Sequence, residues 1–205
     1  MIAIIDYGAG NLYSVSKAID RLGYQAQIIS TAREILEASA VILPGVGSAR
    51  DAMHRLEELG LAAALKQLCA EQRPLLGVCL GLQLLFPHSE EDGGCDCLNL
   101  VQGKVTRLPP GQKIPHMGWN QVSQKARHPI FEGIPDKTNF YFVHSYYAEV
   151  EDNGIVAGET DYGVRFPSLI VKNSLVATQF HPEKSGDMGL RIYHNFLRLS
   201  QQIRR

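Results

Sequence analysis

Short apolar runs alternate along the first half of the chain with segments whose apolar residues recur every three or four positions. The runs predict β-strands, and the spaced segments predict helices. The predicted strands are Ile2–Ile5, Gln25–Ser30, Val41–Leu43 and Leu75–Val78, and the later predicted helices are Ala49–Glu58 and Leu61–Gln72. Because alternating strands and helices favour a parallel sheet with right-handed crossovers, this half is predicted to be an α/β structure.

The first helix is predicted after the first strand and a glycine-rich loop. Asn11 can cap its N-terminus, the apolar residues Leu12, Val15 and Ile19 share one face, and Gly23 can end it. The loop before the helix lacks a complete phosphate-binding motif, so nucleotide binding is the less favoured interpretation of its glycines.

The second half of the chain changes to shorter strands separated by turn residues, which predicts antiparallel pairing. The predicted strands are Gly103–Leu108, Tyr141–Val150, Gly154–Glu159, Ser168–Lys172 and Leu175–Gln179. Asn173 and Ser174 lie between the last two strands and predict a hairpin turn. A final amphipathic helix is predicted over about Asp187–Ile203.

The composition is typical of one globular enzyme domain, which we predict to span residues 1–205. The net charge of −1 gives no electrostatic reason to expect a nucleic-acid partner. The N-terminus lacks the basic and long apolar regions of a signal peptide, and no apolar run approaches the length of a membrane span. These patterns predict a cytoplasmic protein that binds neither nucleic acid nor membrane.

The segment Pro74–Leu84 carries the strongest chemical signal in the sequence. An apolar run ends at Cys79, which has Gly77 and Gly81 two residues away on either side, and an apolar helical run follows. This pattern is typical of a nucleophile elbow, where a strand turns sharply into a helix and glycines give the backbone freedom. Since a helix N-terminus favours the thiolate, Cys79 is predicted to be a nucleophile rather than a structural thiol.

A second polar cluster follows the apolar run that ends at Phe180. A cysteine nucleophile needs a base, and the base needs a group that orients it. His181 can be the base and Glu183 the orienting carboxylate, while Pro182 keeps His181 extended. We therefore predict a catalytic triad of Cys79, His181 and Glu183.

The loop Pro44–Ser48, after the third predicted strand, is a candidate for an oxyanion hole. Attack of a thiolate on an amide creates an oxyanion, which needs preorganised N–H donors. The amide of Leu80, directly after the nucleophile, is one predicted donor. The other is expected from Val46 and Gly47, where the glycine-rich backbone can turn a peptide N–H inward.

These three segments together resemble the class I glutamine amidotransferases, over nearly the whole chain. Members of that family hydrolyse the side-chain amide of glutamine through a thioester and pass ammonia to a synthase. The resemblance implies a three-layer, flavodoxin-like α/β fold around a mostly parallel sheet, with antiparallel strands in the second half and no metal or organic cofactor. The runs Ile4–Leu12, Pro115–Asn120 and Tyr141–Tyr146 narrow it to the glutaminase subunits of imidazole glycerol phosphate synthase.

The resemblance also implies roles for residues outside the triad. Gln83, one helical turn after Cys79, matches the position that holds the α-amino and carboxylate end of glutamine, and the Val46 peptide matches one that must flip. The other residues implied to contact L-glutamine are Gly47, His144, Ser145 and Tyr146. The residues implied to face a (β/α)8-barrel cyclase subunit are Asn11, Met117, Trp119 and Asn120.

Two other classes of function remain open on the sequence. One is a different enzyme on the same scaffold, such as the glutaminase of pyridoxal phosphate, purine or anthranilate synthesis, or a γ-glutamyl hydrolase. The other is a non-catalytic binding or redox-sensing module, which would have no need of His181 and Glu183. Cys69, Cys95 and Cys97 are predicted to be reduced thiols without a catalytic role.

Overall fold

A computed structural model describes residues 1–202, which form thirteen β-strands and six α-helices. The strands are β1 Ile2–Ile5, β2 Ala26–Ile29, β3 Ala40–Gly45, β4 Leu75–Cys79, β5 His88–Ser89, β6 Cys95–Asp96, β7 Gly103–Arg107, β8 His116–Gln124, β9 Thr138–His144, β10 Tyr146–Val150, β11 Val156–Asp161, β12 Arg165–Lys172 and β13 Leu175–Thr178. The helices are α1 Leu12–Arg21, α2 Ala32–Glu37, α3 Ala49–Glu58, α4 Leu61–Ala70, α5 Leu80–Gln83 and α6 Gly186–Gln202.

Nine strands form the central sheet, in the order β2-β1-β3-β4-β13-β12-β11-β8-β9. The first five of these are parallel to one another, and the remaining neighbours pair antiparallel. The predicted hairpin turn joins β12 to β13, and Asn173 in it has a φ of 55°. The turn returns the chain to β4, where Thr178 is the register partner of Val78. The residues after β13 are thereby brought beside the residues after β4.

Two apolar layers cover the two faces of this sheet. On one face, Ile35 of α2, Leu56 of α3 and Leu65 of α4 are fully buried. On the other, α1 and α6 contribute residues such as Ile19 and Phe196. Strands covered on both faces are apolar along their whole length, as β3 and β4 are. The predicted three-layer α/β fold is confirmed, with a central sheet that is parallel in its first half and antiparallel in its second.

The strands β10, β7, β5 and β6 form a second, smaller sheet in that order. The prediction of one continuous strand over Tyr141–Val150 is wrong, because the segment divides at Ser145 into β9 of the central sheet and β10 of the small sheet. β-type residues continue through Ser145, so composition does not reveal the change of sheet. Residues on both sides of this division line the site described below.

The sequence pattern misses four elements, namely α2, β5, β6 and β8. α2 has only six residues and one buried apolar side chain, Ile35, although Thr31 and Glu34 form a capping box at its start. β8 is obscured because Met117 and Trp119 place large apolar side chains on its exposed face. β5 and β6 have two residues each, which is too short for a periodic signal.

The last helix begins at Gly186 and buries one face, which includes Tyr193 and Leu197, so the predicted amphipathic helix is present. Its predicted end at Ile203 lies outside the described residues. None of the helices within residues 1–202 has both the length and the apolar character needed to cross a membrane.

Candidate active site

Cys79 ends β4 and precedes α5 in a strained backbone conformation, with φ 55° and ψ −106°. A residue with a side chain adopts positive φ rarely and at an energetic cost, and such strain is concentrated at catalytic positions. The sharp strand-to-helix turn that the sequence predicts is therefore present, and it isolates one side chain at the end of the strand.

The glycines that flank Cys79 have a different role from the predicted one. A Cβ at Gly77 would lie 2.8 Å from the Gly81 carbonyl oxygen, and a Cβ at Gly81 would overlap the Leu43 carbonyl oxygen. Neither glycine has a positive φ. Glycine is required here because β3, β4 and α5 approach closely, while the conformational strain falls on Cys79 itself.

The helix after the nucleophile has a single turn, Leu80–Gln83. Few aligned peptide groups give a small dipole, so this helix stabilises a thiolate less than the sequence pattern predicts. The positive charge that a thiolate needs must therefore come largely from a side chain beside Cys79.

His181 and Glu183 form a buried pair, with 2.8 Å between imidazole Nδ1 and the carboxylate Oε1. Their side chains are 2% and 1% exposed. The hydroxyl of Tyr193 on α6 donates to the other carboxylate oxygen at 3.4 Å. Because the carboxylate accepts, Nδ1 carries a proton, and Nε2 is the nitrogen left for proton exchange with Cys79.

Cys79 and His181 line the same cavity, which has a volume of about 300 Å³. Burial lowers the pKa of His181, but the negative charges of Cys79 and Glu183 outweigh burial and raise the pKa to about 10. Hydrogen bonding to Cys79 and to Glu183 also contributes to the raised pKa, although Nε2 is buried and has no hydrogen-bond partner of acceptable geometry within residues 1–202. A protonated imidazole beside a cysteine stabilises the thiolate.

The backbone of His181 is held by β9 and by its own turn. The His181 N–H donates to the Tyr141 carbonyl at 2.9 Å, and the Tyr141 N–H donates to the Ser185 hydroxyl oxygen at 2.9 Å. The same hydroxyl donates to the His181 carbonyl at 2.7 Å. Pro182 follows, and His181 is extended as predicted, with φ −98° and ψ 98°. These contacts preorganise the imidazole.

The ends of β3 and β4 bring the predicted oxyanion residues against the nucleophile. Gly45 is the register partner of Cys79, and Val46, Gly47 and Leu80 line the cavity. Leu80 is the first residue of α5, so its N–H has no acceptor within the helix. Gly47 has a φ of 92°, which allows peptide orientations that other residues avoid.

Tyr7 holds the strand that carries this loop. Its buried hydroxyl donates to the Pro44 carbonyl at 3.0 Å, and a Cβ at Gly45 would lie 2.7 Å from the same hydroxyl oxygen. Burial, with a smaller contribution from the charge of Cys79, raises the pKa of Tyr7 well above its usual range, so the hydroxyl remains a donor. The sequence places Tyr7 in a glycine-rich loop and carries no signal of this contact.

Gln83 borders the cavity one turn after Cys79, as predicted, and its amide is fixed by two hydrogen bonds. Its Nε2 donates to the Tyr146 carbonyl at 2.8 Å and to Gln179 Oε1 at 3.1 Å. Gln179 in turn directs its own Nε2 at Cys79 Sγ, 3.7 Å away. Sequence reasoning misses Gln179 because it lies within an apolar strand pattern, where one buried glutamine has no distinguishing signal.

The remaining predicted glutamine contacts, His144, Ser145 and Tyr146, line the cavity where β9 passes into β10. The imidazole of His144 makes two hydrogen bonds within the protein. Nδ1 bonds to the Tyr146 carbonyl at 2.8 Å, and Nε2 bonds to His116 Nδ1 at 2.9 Å. The imidazole therefore has no free nitrogen for direct contact with a substrate.

Two of the residues predicted to face a partner form an exposed apolar surface beside the cavity. Met117 and Trp119 are 60% and 58% exposed on the outward face of β8. Their register partners on β9 are Val143 and Tyr141, and Val143 also lines the cavity. The exposed surface of Met117 and Trp119 thus lies next to a strand residue that lines the cavity.

Asn120 and Asn11, the two asparagines predicted to face a partner, have different surroundings. Asn120 lies on the inward face of β8, where its Nδ2 donates to His116 Nε2 at 3.3 Å and to the Asp161 carbonyl at 3.0 Å. Since side chains alternate between the faces of a strand, Asn120 lies on the opposite face of β8 from Met117 and Trp119, and its contact with a partner stays a prediction. Asn11 precedes α1, but within the described chain its side chain makes no capping hydrogen bond.

The acidic stretch over residues 89–97, to which the sequence assigns no role, also reaches the cavity. Glu91 lines it and accepts the Ala49 N–H at 2.7 Å, which anchors α3 directly after the oxyanion loop. The sulfurs of Cys95 and Cys97 lie 4.0 Å apart, and all four cysteines of the chain are free.

A known protein family matches this chain over almost its whole length. Residues 3–199 match the family described as "Glutamine amidotransferase class-I", and the chain belongs to that family. A crystal structure of a glutamine amidotransferase shares the fold, with a TM-score of 0.78 and 20% sequence identity over 98% of this chain and 100% of that chain.

Curated relatives show which group of class-I amidotransferases the chain belongs to. The imidazole glycerol phosphate synthase subunit HisH of Dehalococcoides mccartyi is 55% identical over 200 residues, which cover 98% of both chains. The HisH subunit of Moorella thermoacetica is 52% identical over 195 residues, which cover 95% of this chain and 93% of the relative. Within the class-I amidotransferases, the chain belongs with the HisH subunits of that synthase.

Proposed function

We propose that this chain, as one amidotransferase domain over residues 1–205, hydrolyses L-glutamine to glutamate and ammonia for an imidazole glycerol phosphate synthase. The observation that carries the proposal is the cavity shared by Cys79 and His181, with Glu183 buried behind the imidazole. The match over residues 3–199 and the HisH relatives support it.

Binding places the side-chain amide of glutamine against Cys79. The other end of the substrate extends toward Gln83, whose Nε2 is already occupied by protein acceptors. This leaves the Gln83 Oε1 atom to accept from the α-amino group of the substrate. Ser145 and Tyr146 also line the cavity and are proposed to contact the substrate.

The first chemical step forms a thioester. The Cys79 thiolate attacks the amide carbon, and the oxyanion accepts N–H groups from Leu80 and from the Val46–Gly47 peptide. His181, which is protonated at neutral pH because its pKa is about 10, gives its proton to the departing nitrogen. The C–N bond breaks, ammonia leaves, and a γ-glutamyl thioester remains on Cys79.

The second step releases glutamate. Neutral His181 takes a proton from water, and the water oxygen attacks the thioester carbon. The C–S bond breaks, glutamate leaves, and the Cys79 thiolate and the protonated His181 are restored. Glu183 and Tyr193 stabilise the imidazolium throughout and keep its Nδ1 proton in place.

The ammonia acceptor is proposed to be a partner, a (β/α)8-barrel cyclase subunit (HisF). It would use ammonia to form imidazole glycerol phosphate and aminoimidazole carboxamide ribotide in histidine biosynthesis. The exposed Met117 and Trp119 support this, since a partner bound to them would lie close to Val143, which lines the cavity. A cytoplasmic location is part of the proposal and is supported by the free cysteines.

The test is glutamate release from glutamine by the purified chain, alone and with the cyclase subunit and its nucleotide substrate. We expect strong activation by the ligand-bound cyclase. Cys79→Ser should abolish glutamine-dependent synthesis while ammonium-dependent synthesis by the complex continues. Cys69→Ser, at a half-buried thiol on α4, is the matched control and should behave as wild type. Glutamine turnover that survives in Cys79→Ser would disprove the thioester mechanism.

A further inference from the structure

Two buried histidines face each other across the antiparallel pair of β8 and β9. His116 and His144 are register partners, 3% and 6% exposed, and 2.9 Å separates His116 Nδ1 from His144 Nε2. The mechanism above uses neither imidazole. Two adjacent imidazoles can form a hydrogen bond only if one donates and the other accepts, so the direction of the bond shows which nitrogen of each ring is protonated.

The direction is set at one end by a backbone carbonyl. His144 Nδ1 lies 2.8 Å from the Tyr146 carbonyl oxygen, which can only accept, so His144 carries its proton on Nδ1. In a neutral imidazole the other nitrogen then accepts. His116 must therefore donate from Nδ1 to His144 Nε2.

The other end is set independently by Asn120. Its Oδ1 accepts the Gln121 N–H at 2.8 Å, and its Nδ2 donates to the Asp161 carbonyl at 3.0 Å, so the orientation of the amide is unambiguous. The same Nδ2 lies 3.3 Å from His116 Nε2 and donates to it. Both ends thus require the same direction, with His116 and His144 each protonated on Nδ1.

The surroundings keep both rings neutral and in place. His116 is stacked between the rings of Tyr162 and Phe142, with centroids 3.9 Å and 4.9 Å away. Burial lowers the pKa of His116 to about 4, and burial is also the main cause that lowers the pKa of His144 to about 3. Neither ring takes up a proton near neutral pH.

We propose that this buried hydrogen-bond chain of fixed direction, carried by His116 and His144, sets the orientation of the Gln83 amide in the glutamine pocket. The Tyr146 carbonyl accepts both from His144 Nδ1 and from Gln83 Nε2, and these bonds are each 2.8 Å long. The histidines are positioning residues, which act on the substrate through Gln83. The inference rests on the proposed function, because it assigns the pocket to glutamine.

The direction of the chain is tested by ¹⁵N NMR of the imidazoles in the intact chain. We expect both rings in the Nδ1–H form at pH 7, with no titration between pH 7 and 5. Asn120→Asp replaces the donor by an acceptor, so His116 should gain a proton on Nε2. Gln121→Glu makes the same chemical change on the exposed face of β8 and should leave both rings unchanged. An Nε2–H form of either ring in the wild-type chain, or an unaltered His116 in Asn120→Asp, would overturn the proposal.

The positioning role is tested by kinetics of the complex with the cyclase subunit. His116→Phe keeps an aromatic ring in the stack but removes the donor to His144. We expect the KM for glutamine to rise about tenfold, kcat to change less than about threefold, and ammonium-dependent synthesis to be unchanged. His54→Phe, at an exposed histidine of α3, is the control and should match wild type. A wild-type KM in His116→Phe, or an equal loss in kcat, would overturn the role.

Different results would disprove the proposed glutaminase function and the inference about the histidine chain. Wild-type complex that releases no glutamate from glutamine would disprove the proposed function, while the NMR of the unmodified chain would still decide the direction of the hydrogen bonds. If His116→Phe does not fold, the KM of the Asn120→Asp complex for glutamine decides the positioning role: it should rise above the KM of wild type and of Gln121→Glu, and an unchanged KM would overturn the role.

Discussion

Gly45, the last residue of β3, is the register partner of Cys79, the last residue of β4. A Cβ at Gly45 would lie 2.7 Å from the Tyr7 hydroxyl oxygen and 2.8 Å from the Leu80 Cβ. The strand that leads into the loop Pro44–Ser48 therefore packs directly on the elbow. Parallel pairing and the absence of one side chain together place the nucleophile beside Val46 and Gly47.

This contact predicts a large effect of Gly45→Ala. The neighbouring atoms belong to packed elements and have no room to move, so we expect the free energy of unfolding to fall by about 2–3 kcal/mol. kcat should also fall, because β3 moves away from Cys79. Gly60→Ala is the control: it has open space and a φ of 68°, so it bears only a conformational cost of about 1 kcal/mol. Urea unfolding measures the free energy of unfolding, and glutaminase assays measure kcat. Equal effects of the two variants would contradict the steric explanation.

Glu183→Gln tests the orienting carboxylate. The neutral amide leaves the imidazolium without its charge partner and can donate to Nδ1, which would move the His181 proton to Nε2. We expect kcat to fall by about a hundredfold or more, with a folded protein. Glu57→Gln makes the same change on the exposed face of α3 and should have wild-type activity. Steady-state kinetics of the complex decide the matter, and wild-type kcat in Glu183→Gln would remove this residue from the triad.

The charge of Cys79 predicts a change in the titration of His181. In Cys79→Ala only Glu183 opposes burial, so the pKa of His181 should fall from about 10. NMR titration measures it, with Cys69→Ala as the control. Because the folded pKa exceeds the ordinary histidine value of 6.5, protonation stabilises the fold fully below pH 6.5, and this contribution is lost as pH rises to about 10. In Cys79→Ala this stabilising contribution should be lost over a narrower pH range. An unchanged pKa of His181 would show that the sulfur does not act on the imidazole.

The neutral histidine pair predicts destabilisation in acid. The folded pKa values, about 4 for His116 and about 3 for His144, lie below 6.5, so the unfolded chain binds more protons as pH falls. Stability is complete above pH 6.5 and is lost below it, by about 1.4 kcal/mol per pH unit for each imidazole. In urea unfolding between pH 6 and 4, His116→Phe should have a smaller slope than wild type by that amount. His54→Phe should retain the wild-type slope, and equal slopes in all three proteins would contradict the prediction.

Substitutions on the exposed surface of β8 should weaken binding of the cyclase subunit without changing the free energy of unfolding. Trp119→Ala and Met117→Ala should each weaken binding of the cyclase subunit by about 1–3 kcal/mol, because aromatic and apolar anchors dominate such interfaces. The free energy of unfolding of the isolated chain should change by less than about 0.5 kcal/mol, since both side chains are exposed. Leu59→Ala, at an exposed leucine after α3, is the control for calorimetric titration. Unaltered affinity in both variants would place the partner elsewhere.

Much of the fold follows from local patterns. β1 and α3 are predicted with the bounds that the structure has, because apolar periodicity and turn residues act over a few positions. The elbow at Cys79 and the extended His181 are also local, since glycine spacing and a following proline limit the backbone there. These signals determine which elements form and which residues can do chemistry.

Other features depend on which distant residues meet. Nothing in the local pattern marks Ser145 as the point where the chain changes sheet, or Gln179 as the donor to Cys79, a hundred positions away in sequence. His116 and His144 are 28 positions apart, and only the register of β8 on β9 makes them a pair. Sequence alone determined most of the elements and the candidate reactive groups of this protein, whereas tertiary structure decided their partners, because hydrogen-bond direction and burial depend on contacts across the fold.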